Sequence, residues 1–291
     1  MNMLNELTAS GVAVVTGAAS GIGRALAVRL AGRGMGLAIA DIDEAGLEST
    51  AAESAALGAA VLTRRIDVTS AAQVTTFACD VFGWTSETIR LVFANAGIHG
   101  LTSAIAPDLA VWNQVIDVNL KGAVHTGHAF LPRLIDQGQA AQFVITGSQA
   151  SFLAAPGMAP YIATKHALWG LADTIRLELQ ALDTEVGISL VAPGRVASGI
   201  TLSQAEAIRA KDGDEAASAY EAMLLPASAA AEVIIREAMR RAFWIIPSRE
   251  DTLGVLRNRF DMLVNAMPAG LIGGADRAEQ VGGELGHDFA G

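Results

Sequence analysis

The 291-residue chain carries 30 Asp and Glu against 20 Lys and Arg, and 52% of its residues are hydrophobic. A formal charge of −10 without a basic run argues against nucleic acid as a partner, and a single cysteine, Cys79, excludes an internal disulfide and a cysteine-based zinc cluster. The first residues lack the basic start of a signal peptide and no stretch predicts a clean membrane helix, so we expect a soluble cytoplasmic protein.

Short apolar runs alternate with longer amphipathic windows along the chain. The predicted strands are residues 12–16, 37–41, 60–67, 91–95, 142–147, 187–192 and 244–247. The predicted helices are residues 22–33, 44–57, 71–82, 109–135, 161–182 and 229–241. Near-continuous apolar strands are typical of parallel sheets covered on both faces. The alternation therefore predicts an α/β fold, a Rossmann-type doubly wound parallel sheet of about seven strands with helices on both faces.

The chain shows no internal repeat and no low-complexity linker, so residues 1–266 are predicted to form a single domain. Within it, residues 195–226 are Ala-rich, polar and helical in propensity, which suits a substrate lid. Residues 267–291 carry many glycines and little periodicity, and are predicted to form a C-terminal tail.

The first strand runs directly into a glycine-rich turn, Thr16-Gly17-Ala18-Ala19-Ser20-Gly21-Ile22-Gly23, and then into a helix. Such glycines let the backbone approach a pyrophosphate, and the helix start offers N–H groups and a positive dipole end. An ordinary strand–helix turn would favour glycine as well. The candidate cofactor-binding residues of this turn are Gly17, Ala19, Ser20, Gly21, Ile22 and Gly23.

Asp41 ends the second predicted strand, where a Rossmann unit places an acid against the ribose hydroxyls of adenosine. A carboxylate there repels a 2′-phosphate, so Asp41 predicts NAD in preference to NADP. The alternative interpretation is a solvated turn residue or a helix cap, because Asp43 and Glu44 follow closely.

Two further strand ends carry candidate cofactor residues at the same edge of the sheet. Asp67 and Val68 close the third strand, where a carboxylate can accept from an adenine amino group. Asn95, Ala96 and Gly97 close the fourth, with small residues that permit close passage of a ribose.

Ser148 follows the fifth predicted strand, Tyr161 comes thirteen residues later, and Lys165 lies four residues beyond Tyr161. Residues i and i+4 share a helix face, so the phenol and the ammonium can point into one cleft. A nearby ammonium and the positive charge of an oxidised nicotinamide both favour the phenolate and lower the tyrosine pKa, which suits acid–base catalysis. Ser148 can donate to a substrate oxygen.

These motifs, with Pro193-Gly194, occur in an order and spacing that resembles the classical branch of the short-chain dehydrogenase/reductase family over roughly residues 8–250. The resemblance implies a catalytic set of Ser148, Tyr161 and Lys165 with Asn119 as a fourth member. In similar enzymes this asparagine perturbs its helix and holds a water for a proton relay. Without the resemblance, the helical pattern would favour the interpretation of Asn119 as a solvent-facing helix residue.

The resemblance also implies how the nicotinamide end is bound. Lys165 is expected to bond the nicotinamide ribose hydroxyls next to Tyr161. The residues expected near the carboxamide are Pro193, Gly194, Val196 and Ser198, with serine at a position where threonine is more usual.

The implied activity is reversible hydride transfer between NAD(H) and a secondary alcohol or ketone, in a homodimer or homotetramer built on the helices at 109–135 and 161–182. Ala, Leu and Met in the lid lean toward a hydrophobic substrate. The alternatives are a reductase or dehydratase-type relative acting on a C=C bond, and a nucleotide-binding regulatory or scaffold protein without turnover.

Several other residues were considered for function. His125 and His128 share a helix face at i, i+3 but lack a third ligand, so we predict no metal site. His99 follows the Asn-Ala-Gly segment and either borders the substrate pocket or is a plain loop histidine. Cys79 is expected to be a buried small apolar residue.

Overall fold

The computed structural model describes Leu7 and residues 10–266, so the tail predicted at 267–291 lies outside the described residues. Seven strands form one sheet in the order β3-β2-β1-β4-β5-β6-β7, and every neighbouring pair is parallel. The strands are β1 (Val12–Thr16), β2 (Gly36–Asp41), β3 (Val61–Arg65), β4 (Ile89–Ala94), β5 (Ala141–Thr146), β6 (Val186–Val191) and β7 (Trp244–Ile245). The predicted fold is thereby confirmed.

Ten α-helices lie among the described residues. They are α1 (Gly21–Ala31), α2 (Glu44–Ala56), α3 (Ala71–Trp84), α4 (Leu109–Val115), α5 (Gly122–Asp136), α6 (Ala159–Ala181), α7 (Gly199–Asp212), α8 (Asp214–Ala222), α9 (Ala227–Met239) and α10 (Arg249–Ala266). Across residues 7 and 10–266, no helix is both long and apolar enough to cross a membrane.

The sheet is buried on both faces, which explains why its strands are apolar almost throughout. On β5, Phe143 packs into a cluster with Phe77 and Phe130 from α3 and α5. Its neighbour Val144 points the other way, into a cluster that includes Leu26 of α1. Adjacent residues of a strand point to opposite faces, so a strand between two helical layers needs apolar residues at every position.

The strand order reverses between β1 and its two neighbours, β2 and β4. At such a switch the loops leaving the carboxyl ends of adjacent strands diverge, and a crevice opens between them. The loops after β1 to β6 lie at this carboxyl edge of the sheet, and they carry most of the candidate residues predicted from the sequence.

The helix predicted at 109–135 is present, but it is not α-helical throughout. Between α4 and α5, residues Ile116–Lys121 form a π-helical stretch, which widens the turn around Asn119. Asn119 is 1% exposed, so the interpretation as a solvent-facing helix residue is wrong. π-helical turns of this kind are frequent at functional sites.

The expectation for Cys79 also needs correction. Cys79 is exposed on α3, and its Sγ accepts a hydrogen bond from the Arg133 guanidinium at 3.2 Å, so it is not a buried residue.

Helix α10 was not predicted from the sequence. The region predicted to form a lid contains α7 and α8, which are joined at Gly213, and Arg209 contacts Asp214 at 3.1 Å.

Candidate active site

A cleft of about 710 Å³ opens at the carboxyl edge of the sheet. Its walls come from the loops after β1 to β6 and from the start of α7. Nearly every candidate site residue lines it, with Ala19 and Asn119 as the exceptions. The candidates on its walls are Gly17, Ser20, Gly21, Ile22, Gly23, Asp41, Asp67, Val68, Asn95, Ala96, Gly97, Ser148, Tyr161, Lys165, Pro193, Gly194, Val196 and Ser198.

The glycine turn after β1 is shaped so that only glycine fits at its closest approaches. A Cβ on Gly23 would overlap the carbonyl oxygen of Gly17 and lie 2.7 Å from Asn95 Nδ2. Gly17 has a φ of 69°, in the left-handed region that favours glycine. Helix α1 has no acid in its first turn and no side-chain cap from Ser20, so its N-terminal N–H groups suit an anionic ligand such as a pyrophosphate.

The Asp41 carboxylate is fixed by two backbone amides. Its Oδ2 accepts from Ala19 N at 2.9 Å and its Oδ1 from Asp43 N at 3.0 Å. Ala19 is buried, and its backbone amide holds the Asp41 carboxylate in place, while its cofactor contact stays a prediction. The cap of α2 is Asp43, which accepts from Gly46 N, so Asp41 is not a helix cap.

Asn95 ties the ends of three strands together. Its Nδ2 donates to the carbonyl oxygens of Thr16 and Gly17, at 3.1 and 3.3 Å, and its Oδ1 accepts from Thr146 at 3.2 Å. The side chain thus anchors the glycine turn to β4 and β5, while Ala96 and Gly97 leave open space beside it.

Asp67 and Val68 lie on the cleft wall after β3, as predicted. One Asp67 oxygen accepts from Thr69 N at 2.9 Å, which fixes the loop. The Val68 carbonyl contacts His125 Nδ1 at 2.9 Å, so this histidine is engaged with the backbone. Within the described part of the chain, no group of three His, Cys, Asp or Glu could hold a metal ion.

Tyr161 and Lys165 lie one turn apart on α6, and both are nearly inaccessible to solvent. Lys165 Nζ donates to Thr146 O at 2.9 Å and lies 5.5 Å from the centre of the Tyr161 ring. Burial lowers the pKa of Lys165 from 10.5 to about 8, because desolvation penalises the ammonium. The ammonium form still predominates at pH 7.

Burial raises the pKa of the Tyr161 phenol above its ordinary value, and a hydrogen bond with Ser148 partly opposes this rise. The lowered tyrosine pKa expected from the sequence is therefore not a property of the folded chain alone. Ser148 begins a short 3₁₀ turn (Gln149–Ser151), and its Oγ also accepts from Ala150 N at 3.1 Å. The phenol and the serine hydroxyl thus share one end of the cleft.

The Asn119 side chain fastens the loop after β4 to α6. Its Oδ1 accepts from Ile98 N at 2.8 Å, and its Nδ2 donates to Ile98 O and to the hydroxyl of Thr164 at 3.0 and 3.3 Å. Both amide hydrogens are thereby engaged. The relay role implied by the resemblance stays a prediction, and the structure gives Asn119 a positioning role.

The segment predicted to meet a carboxamide lies between β6 and α7. Gly194 N donates to Ser248 Oγ at 3.1 Å, and Gln149 Nε2 donates to Thr252 Oγ1 at 2.7 Å. Residue 248 immediately precedes α10 and Thr252 lies on it, so this unpredicted helix braces the loop beside Ser148. Ser198 begins α7, with its amide donating to Thr201 Oγ1 at 2.9 Å.

Sequence reasoning missed several residues on the cleft wall. Gln114 and Asp117 reach it from α4 and the π-helical stretch, and Ile42 and Thr69 reach it from the loops after β2 and β3. Helical periodicity could not place Gln114 and Asp117, because the wide π turn changes the phase of the helix. Ile42 could have been predicted to line the cleft, since it is an apolar residue directly after Asp41 at a strand end.

Comparisons with known proteins agree with this geometry. The family model described as short chain dehydrogenase matches residues 11–209. A 1-deoxy-11-beta-hydroxypentalenate dehydrogenase from Streptomyces avermitilis is 40% identical over 191 residues, 65% of this chain and 70% of that protein.

Two solved structures are also similar. A short chain dehydrogenase/reductase from Burkholderia phymatum in complex with NAD is 31% identical with a TM-score of 0.78, covering 92% of this chain and 98% of its own. An alcohol dehydrogenase from Thermococcus sibiricus complexed with 5-hydroxy-NADP is 27% identical with a TM-score of 0.69, covering 81% and 95%.

Proposed function

The chain belongs to the short-chain dehydrogenase/reductase family of oxidoreductases, and we propose that it transfers a hydride between NAD(H) and a secondary alcohol or its ketone. The observation that carries this proposal is that the glycine turn, Ser148, Tyr161 and Lys165 all line one cleft. A phenol and an ammonium at one end of a dinucleotide-sized cleft provide the groups that proton and hydride transfer require.

NAD is the proposed cofactor because of the fixed Asp41 carboxylate. Its two oxygens accept from Ala19 N and Asp43 N, which holds a negative charge at the cleft wall. A 2′-phosphate placed there would meet like charge at short range. Among the relatives, one structure carries NAD and another an NADP derivative, so membership of the family does not decide between the two.

In the proposed alcohol oxidation, the Tyr161 phenolate removes the hydroxyl proton while Ser148 donates to the substrate oxygen. When bound, the oxidised nicotinamide supplies the hydride acceptor and a positive charge. Burial raises the pKa of Tyr161, so the protein alone favours the neutral phenol. Lys165 is still protonated at neutral pH, and we propose that it supports the phenolate and bonds the nicotinamide ribose.

The substrate class rests on the chemistry of the site and on one relative. The Streptomyces protein is named for a hydroxylated acid, 1-deoxy-11-beta-hydroxypentalenate. We propose that this chain accepts a hydroxylated, largely hydrophobic compound, with the lid as its apolar cover. Ile200, at the start of α7, lines the cleft and supplies an apolar side chain that supports this preference.

A homodimer or homotetramer stays part of the proposal. Apolar side chains on the two helices expected at the interface, Val124 on α5 and Leu177 on α6, are exposed in the single chain. Contact with a second copy would bury them. Analytical ultracentrifugation measures the assembly state directly, and a monomer at micromolar concentration would contradict this part of the proposal.

The decisive experiment follows NADH absorbance with a panel of hydrophobic secondary alcohols, comparing wild type with Tyr161→Phe. General acid–base catalysis contributes on the order of 10²- to 10⁴-fold, so we expect turnover to fall by about that factor in the variant. NADH affinity, measured by fluorescence titration, is expected to stay within about twofold of wild type, since the lost hydroxyl is one contact among many.

Near-normal turnover in Tyr161→Phe would overturn the assignment of the base. Absence of turnover in wild type with every alcohol and ketone, together with tight NADH binding, would favour the regulatory or scaffold alternative. Turnover of an activated C=C bond without carbonyl reduction would favour the reductase alternative.

A further inference from the structure

A histidine outside the catalytic set lies against the catalytic tyrosine. The ring centres of His99 and Tyr161 are 4.9 Å apart with an interplanar angle of 68°, an edge-to-face contact. His99 follows the Asn95-Ala96-Gly97 segment and is about half-buried. The phenol ring therefore has an imidazole as a direct neighbour, in addition to the lysine on its own helix.

The same histidine is also in contact with the lid. Gln204 Nε2, on α7, lies 3.5 Å from His99 Nε2, at the outer limit of a hydrogen bond. Gln204 is in turn fixed from α8, because the Tyr220 hydroxyl donates to its Oε1 at 2.6 Å. A continuous chain of side chains thus leads from both lid helices to the ring of Tyr161.

The direction of these hydrogen bonds is determined by their chemistry. Because the Tyr220 hydroxyl donates to Oε1, the Gln204 amide turns its NH₂ group toward His99. His99 Nε2 must then be an acceptor, which requires a neutral imidazole with its proton on Nδ1. Burial lowers the pKa of His99, which favours this neutral form at pH 7.

We propose that His99 is a positioning residue that couples docking of the lid to the orientation of Tyr161, with Gln204 and Tyr220 as its connection to the lid. The His99–Gln204 distance tightens when α7 settles over a substrate, and the imidazole edge then restricts the phenol ring. This inference rests on the proposed function for its effect on turnover, but its structural part concerns the lid alone.

The alternative is that His99 merely fills space beside Tyr161. A space-filling ring needs no polar partner, and phenylalanine would replace it without loss. The Gln204 amide would then have no reason to be fixed by Tyr220 at 2.6 Å on the side facing His99. Replacing His99 by phenylalanine therefore separates the two interpretations, because the ring contact is kept and the polar link is removed.

The experiment compares His99→Phe, Gln204→Met and their double variant in the full-length protein with NADH bound. Hydrogen exchange of the α7 and α8 amides is measured by mass spectrometry. Both single variants are expected to raise lid exchange rates by about fivefold, and the double variant no further, because residues that act through one link are non-additive. Ser203→Ala, an exposed neighbour on α7, is the matched control and is expected to match wild type.

Turnover of the best panel alcohol provides the second measurement. For both single variants and the double variant, kcat is expected to fall about tenfold by loss of orientation, with NADH affinity unchanged. Tyr220→Phe is expected to give a smaller fall, because the Gln204 amide stays present but is no longer oriented.

Unchanged lid exchange in His99→Phe, or effects that multiply in the double variant, would overturn the proposal. The proposal would also be overturned if the variants showed faster lid exchange but the same kcat as wild type, since the lid would then not be coupled to Tyr161. If wild type shows no turnover at all, the proposed function fails, and the exchange rates still decide whether His99 holds the lid.

Discussion

The glycine turn after β1 and the helices of the predicted lid, α7 and α8, are built in opposite ways, although the turn and the start of α7 both line the cleft. The turn is held by backbone contacts so close that a Cβ on Gly23 would overlap the carbonyl of Gly17. The lid is held by side chains, with small buried anchors at Ala205 and Ala217 and exposed ion pairs at Arg209.

This difference explains why the cofactor-binding residues could be recognised from the sequence and the substrate-binding residues could not. A ligand common to a whole family, such as a dinucleotide, is bound by backbone geometry that tolerates few residue types. A substrate particular to one protein is met by side chains that can vary without harm to the fold. The cofactor side therefore carries recognisable motifs, and the lid side does not.

Gly23→Ala is the most direct test of whether the glycine turn depends on close backbone contacts. The added methyl would force apart Gly17 O and Asn95 Nδ2, and overpacking of this kind costs about 1–3 kcal/mol of unfolding free energy. NADH affinity is expected to fall at least about tenfold as the turn is displaced, equivalent to about 1.4 kcal/mol. Denaturant unfolding and NADH titration measure the two effects.

Gly83→Ala on α3 is the matched control, since nothing lies within 4 Å of a Cβ there. It is expected to stabilise the fold by roughly 0.5–1 kcal/mol through helix propensity, with NADH affinity unchanged. Equal behaviour of the two glycine variants would show that the turn is not held by close backbone contacts.

Lys165→Met tests how much the buried ammonium of Lys165 lowers the free energy of unfolding. The pKa of Lys165 falls from 10.5 to about 8 on folding, so this lysine opposes folding fully below pH 8, and the opposition fades as pH rises to 10.5. After allowance for the lost hydrogen bond to Thr146, the variant should be more stable than wild type at pH 7 by about 2 kcal/mol.

That advantage should shrink as the pH approaches 10, while turnover falls by about 100-fold or more at every pH. Urea unfolding at several pH values gives the stability difference. A variant less stable than wild type at pH 7 would show that the ammonium is well solvated or strongly paired in the folded protein.

Asp41→Ala tests whether this carboxylate determines the preference for NADH over NADPH. Removal of the carboxylate is expected to weaken NADH binding about tenfold and to reduce the preference over NADPH by a similar factor, about 1.4 kcal/mol each. Asp43→Ala is the matched control, because it removes the cap of α2, worth about 1 kcal/mol, but keeps the charge of Asp41. An unchanged preference in Asp41→Ala would refute its proposed role.

The smallest effect is expected on the lid, from Arg209→Ala. Arg209 contacts Asp214 at 3.1 Å and Glu221 at 2.8 Å, and so joins α7 to α8 on the exposed surface. Screened pairs of this kind contribute little, so Tm should not change measurably, while thermolysin cleavage of the lid should accelerate about twofold. Lys211→Ala serves as the control, and equal cleavage rates for both variants would contradict the bridging role.

The sequence predicted the fold and most of the cleft because the relevant signals are local. Apolar runs identify the strands, and the ends of parallel strands meet at one edge wherever a strand order reverses. Ser148, Tyr161 and Lys165 needed only a strand end and one helical turn to be placed in the same cleft.

The errors share a different cause, which is dependence on distant contacts. Asn119 looked solvent-facing because its partners, Ile98 and Thr164, lie on other elements. No local pattern predicts the hydrogen bond between the Ala19 amide and Asp41, because it joins the loop after β1 to the end of β2. Desolvation of Tyr161, which depends on the whole fold, was also missed: it raises the tyrosine pKa in the chain alone, and the lowering expected with an oxidised nicotinamide stays a prediction.

The π-helical stretch at Ile116–Lys121 has a consequence for everything that follows it. A wide turn accommodates one more residue than an α-helical path of the same length, and each residue of an α-helix advances the side-chain direction by about 100°. Deleting one residue there would regularise the helix but rotate α5 about its axis, turning Phe130 and Leu134 away from the sheet. The irregularity is thus a phase adjustment, which lets one helix serve the active-site loop at its start and the protein core along its remaining length.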